Sequence, residues 1–159
     1  MAPSRMSAAA LLLVSVALVA TACSSDASGS AAANDREAVR AITTAESTAG
    51  GRAFQLETDD GAWEVHVASG DREVEVRVSV DGGSVRSSSD SGALDVEDRT
   101  ALDAASTTLA DAVRIAAAQG TGGAVEDAEL ERDDTTARWS IDLAGGVTVR
   151  VSAADGSVG

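Results

Sequence analysis

Lysine and tyrosine are absent from this 159-residue chain, and cysteine, histidine and proline each occur once. The aromatic side chains are only Phe54, Trp63 and Trp139. A single cysteine excludes an intrachain disulfide framework, and one cysteine with one histidine is too few for a Cys/His zinc site. Twelve arginines face 26 acidic residues, giving a net charge of −14. With no basic stripe and no aromatic stacking surface, nucleic-acid binding is excluded as a function. No apolar run reaches the roughly 20 residues a membrane-spanning helix requires.

What is present begins with an unusual leader. Arg5 is the only charged side chain among residues 1–22, and a mostly apolar stretch runs from Ala8 to Ala22, interrupted by Ser15 and Thr21. A positive start, a short apolar core and small residues before a break read as a secretory signal peptide. The break is Ala20-Thr21-Ala22-Cys23, followed by Ser24-Ser25-Asp26. This layout resembles the lipobox of bacterial lipoproteins, with Ala20 where leucine is usual. The resemblance implies that Cys23 becomes the first mature residue and carries diacylglycerol on its sulfur, with fatty chains such as palmitate. One acyl chain holds a protein to a bilayer marginally and two hold it stably. Loss of the leader removes Arg5 and no acid, so the charge moves from −14 to −15. Anionic headgroups repel such a body, leaving the lipid to hold it. The expected location is the extracytoplasmic face of the cell membrane.

Residues 23–33 are small and polar apart from alanine, and are expected to form a flexible tether. The run Arg86-Ser87-Ser88-Ser89-Asp90-Ser91-Gly92 reads as a linker, drawn over 87–94. The remainder falls into a unit over 34–86 and a second over 95–159. In the first, Asn34 or Asp35 caps a helix with Ala38, Ile42, Ala45 and Ala49 on one side, closed by Gly50-Gly51. Three strand-like runs follow. Phe54 and Leu56 alternate with polar residues, Trp63, Val65 and Val67 alternate with Glu64 and His66, and Val74 to Val80 alternate with Glu73, Glu75, Arg77 and Ser79. In the second unit Leu102, Ala105, Leu109, Ala112 and Ala116 make one helical stripe ended by Gly120, Gly122 and Gly123. Strand runs then lie around Val125 to Arg132, Trp139 to Leu143 and Val147 to Val151.

The two units repeat each other. Gly50-Gly51 answers to Gly122-Gly123, Trp63 to Trp139, and Ser84-Val85 to Ser157-Val158, at offsets of 72, 76 and 73. Such self-similarity indicates two copies of one supersecondary unit. The expected fold class is therefore α+β, two repeated units, each a helix packed on a three- to four-stranded antiparallel sheet. Trp63 with Val80-Asp81-Gly82-Gly83-Ser84-Val85, and Trp139 with Ala153-Ala154-Asp155-Gly156-Ser157-Val158, resemble the PepSY domain. That resemblance implies a pair of exported, non-catalytic modules that bind or restrain peptidases, with no catalytic residues to carry over.

The remaining candidates have plain structural readings. His66 shares the polar strand face with Glu64, so a solvent-facing strand residue outweighs a general base. Ser87-Ser88-Ser89 lacks the strained Gly-x-Ser-x-Gly setting of a nucleophile. Asp59-Asp60-Gly61 and Glu131-Arg132-Asp133-Asp134 lack the oxygen spacing of a calcium loop. Asp81 and Asp155 are read as turn-holding. Trp63 and Trp139 are core residues first and binding residues second. No catalytic residue, metal ligand or cofactor is expected. The expected partners are the membrane, through lipid at Cys23, and an envelope protein or peptidase. A small-molecule or cation-binding envelope lipoprotein is the alternative, motivated by the negative charge, and a carboxylate-based hydrolase is disfavoured by chain size.

Overall fold

The computed structural model describes residues 25–120, 122–133 and 136–159, without the side chains of 25–30, 32 and 33. The leader and Cys23 lie outside the described residues. In chain order the elements are α1 (Ser25–Ala49), β1 (Arg52–Asp59), β2 (Ala62–Ser69), β3 (Arg72–Ser79), β4 (Val85–Ala93), α2 (Val96–Ala104), α3 (Leu109–Ala118), β5 (Val125–Arg132), β6 (Ala137–Leu143) and β7 (Val147–Ser152).

The strands form one antiparallel sheet in the order β4-β3-β2-β1-β5-β6-β7. The first half contributes β4 to β1 and the second β5 to β7. The seam is the pairing of β1 with β5, Gln55 opposite Glu129, Leu56 opposite Ala128 and Glu57 opposite Asp127. Alternation along the strands sends Val65, Val67, Val76, Val78, Ile141, Leu143 and Val151 to one face, where all are buried. Helices α1 and α3 pack there, against the sheet and each other, through Ala38, Ala41, Ile42 and Ala45 from one and Leu109, Ala112, Val113 and Ala116 from the other. Alanine on the inward side of both helices brings them close to the sheet, so the core is small side chains around two tryptophans.

The repeat is visible in detail. Gly50 and Gly122 both have positive φ, 71° and 79°, and each precedes a glycine pressed on the opposite strand pair. A Cβ on Gly51 would lie 2.0 Å from Ala68 O, and one on Gly123 would lie 2.5 Å from Ala144 O. At the other end, Ser79 N donates to Ser84 O and Ser152 N to Ser157 O, both at 2.8 Å. Val85 then pairs with Val78, and Val158 bridges to Val151. Asp81 accepts from the Ser79 hydroxyl and from Gly83 N at 3.1 Å, while Asp155 accepts from Ser157 N at 3.1 Å. These donors, the Ser79 hydroxyl first for Asp81 and Ser157 N first for Asp155, hold both carboxyls below the usual range.

Four sequence expectations are corrected. Residues 25–33, expected as tether, belong to the 25-residue helix α1. Ala31-Ala32-Ala33 favours helix, and Asn34 Oδ1 accepts from Val125 N at 2.7 Å, tying that end to the second half. The Ser-rich linker is strand β4, which completes the hydrogen bonding of β3 on its outer side. The single helical stripe of the second unit is two helices. The chain leaves helical geometry at Ala105, where ψ is 121°, and resumes after the Thr108 N-cap, whose hydroxyl accepts from Asp111 N. Finally, a bulge between Ala53 and Gln55 removes Phe54 from strict alternation with Leu56 and brings its ring 6.1 Å from His66.

Candidate functional site

The face of the sheet opposite the helices carries the polar half of every strand. Register places side chains there in rows. One row crosses five strands as Arg77, Glu64, Glu57, Asp127 and Asp142, each directly opposite the next. The adjoining row is Glu75, His66, Gln55, Glu129, Ser140 and Arg150. Like charges directly opposite one another across strands repel.

At the first-half end the repulsion is relieved by an ion-pair chain. Arg77 Nη1 lies 2.7 Å from Glu64 Oε2 and 2.6 Å from Asp59 Oδ2. His66 Nε2 lies 3.4 Å from Glu64 Oε1, and its Nδ1–H donates to Glu73 Oε1 at 2.6 Å. His66 thus stands on the polar face, as the alternation requires, but its side chain is only 17 % exposed and both ring nitrogens face carboxylates.

At the seam no ion pair among the described residues relieves Glu57, Asp127, Asp142 or Glu129. Burial, followed by the charges of Glu129, Asp142 and Glu57, raises the Asp127 carboxyl to about 6. A carboxyl raised above its unfolded value favours the native state while protonated, and that contribution disappears as pH rises through the folded value. Asp127→Asn is therefore expected to stabilise the protein by about 1–2 kcal/mol at pH 8 and by almost nothing at pH 4. Urea unfolding at both pH values measures this; an equal effect at both would show that Asp127 is not strained. The sequence does not reveal this row, because the Glu57–Asp127 pairing joins strands remote in sequence.

Among the described residues no group of three or more His, Cys, Asp or Glu side chains is arranged to hold a metal ion. No described helix is long and apolar enough to cross a membrane. Trp63 and Trp139 are buried, one strand to either side of the seam, and their Nε1 atoms donate to Val80 O at 2.9 Å and to Thr107 O at 3.0 Å. Neither indole offers a binding surface in this state. Ser87, Ser88 and Ser89 lie exposed on the outer strand β4.

A helix layer on one face of an antiparallel sheet, built from two like halves, defines an α+β scaffold whose other face carries mostly acidic side chains. Residues 108–158, from the N-cap of α3 to the bridge at Val158, match the PepSY family, described as peptidase propeptide and YPEB domain. The crystal structure of a "putative lipoprotein" from Clostridium difficile 630 is similar at 19% identity and a TM-score of 0.45, over 74% of this chain and 86% of that one. No curated protein sequence matches the chain.

Proposed function

We propose that this protein is a lipid-anchored, non-catalytic binding module on the extracytoplasmic face of the cell membrane. It consists of two PepSY-like units, 34–86 and 95–159, and acts on a peptidase or another envelope protein. The observation that carries the reading is the PepSY match over residues 108–158. The first half supports extension of that match to the whole body, because it repeats the same helix, glycine pair, tryptophan strand and Asp-Gly turn. The anchor is read from the leader and Cys23.

Two experiments test the two parts. Cells fed labelled palmitate should incorporate it into the wild-type chain, and Cys23→Ala should abolish the label and release the protein from the membrane. Retention of label in that variant would overturn the anchor. Crosslinking of the anchored protein in its native envelope should recover a peptidase or another envelope protein. Recovery of lipid alone would overturn the binding role.

A further inference from the structure

The chain between the halves is fastened in an unusual way. Helix α2 buries one side chain, Leu102, whereas α3 buries five. Its two ends are fixed. Before it, Leu94 is buried and Leu94 N donates to Asp71 O at 3.0 Å. After it, Ser106 N and Thr107 N both donate to Ala153 O at 2.9 Å, and Thr107 O accepts from Trp139.

Between those points α2 is held by buried Leu102, with Ala101 packed beside it, and by three arginines. Arg132 of β5 reaches Glu97 and Asp98 at 3.0 Å and Asp95 at 3.6 Å. Arg52 of β1 donates to Leu102 O, and to Ala105 O at 3.1 Å, satisfying carbonyls at the end of the helix. Arg99 of α2 donates to Asp71. The pairs with Glu97, Asp95 and Asp71 have an exposed carboxylate, Glu97 at 83%, and such pairs are individually weak and screened by salt, while the Arg132–Asp98 pair and the Arg52 bonds are half-buried. Arg99 Nε is moreover buried with no hydrogen-bond partner, a cost that opening to water removes. The equivalent stretch of the first half has no such independence, because it continues without a break into α1.

We propose that α2 is an electrostatically latched strap, which opens as a unit about Leu94 and the Ala105–Thr108 break while α3 and the sheet stay folded. Under it, Ala101 faces the same cleft as Leu130 and Ala137 of β5 and β6. Opening bares that small apolar strip, and ionic strength sets how often. Elements with few buried contacts and exposed ties are the ones that open below global unfolding.

Hydrogen exchange on the full chain tests the strap. At low salt, amides of 96–104 should exchange faster than those of 109–118. Raising salt to about 0.5 M should accelerate 96–104 by about tenfold, the loss of ties worth about 1–2 kcal/mol together, and leave 109–118 unchanged. Arg132→Gln should produce the same acceleration at low salt. Equal protection of the two helices, or acceleration of both together by salt, would overturn the proposal, and the wild-type salt series decides it even where the variant folds poorly.

Discussion

Replacement of Trp139 by alanine is expected to lower the free energy of unfolding by about 4 kcal/mol. The side chain is fully buried, lies opposite Leu130 on one strand and Val151 on the other, and its indole N–H holds Thr107 O inside the protein. The substitution leaves a cavity and an unpaired carbonyl at once, and it frees the break between α2 and α3. Small domains are stable by about 5–15 kcal/mol, so this loss is a large fraction of the whole. Trp139→Phe should fill most of the cavity but still cost about 1–3 kcal/mol for the orphaned carbonyl. Urea unfolding followed by circular dichroism measures both. A loss below 1 kcal/mol in the alanine variant would mean that the tryptophan is not core.

The second large effect concerns glycine. Gly82 has φ +72°, and a Cβ there would lie 2.4 Å from Glu37 O and 2.8 Å from Ala41 N of α1. The turn after β3 abuts the helix backbone, which has no flexible end to move aside. Gly82→Ala should therefore destabilise by about 3 kcal/mol or more, the sum of left-handed strain and overpacking. Gly61 is the control. Its φ is +68°, with nothing within 4 Å of the added atom, so Gly61→Ala should cost only about 1–2 kcal/mol. Similar losses at both sites would show that the turn does not press on α1. The second half has the same contact in weaker form, since Gly156 faces the Ile115 side-chain end at 3.1 Å.

Much of this was legible in the sequence because it is written in local patterns. Alternating valines define β2, β3 and β7, and the paired glycines mark where a helix must stop hard against a strand. The unexpected parts are decided by tertiary contact. Ser87 to Ser91 has little intrinsic preference for strand, yet the outer hydrogen bonds of β3 recruit it, with Arg72 paired to Asp90. The stripe from Leu102 through Ala105 to Leu109 contains no breaker, and the interruption comes from the carbonyl of Ala153 and the indole of Trp139. The carboxylate row needs the β1–β5 register, which joins the two copies and which neither copy encodes alone. The side chains closest to chemistry are thus the hardest to foresee: alternation puts His66 on the polar face beside Glu64 of its own strand, but its second carboxylate partner, Glu73, comes from the pairing of β2 with β3.

The central claim is that two like halves share one sheet and so form one cooperative body. Trp63→Phe and Trp139→Phe each leave a single indole, reporting on the second and the first half respectively. In each variant the fluorescence transition in urea should coincide with the loss of far-ultraviolet circular dichroism. A remaining indole that stays buried well past the dichroism midpoint, or is released well before it, would show halves that unfold separately and contradict the shared sheet.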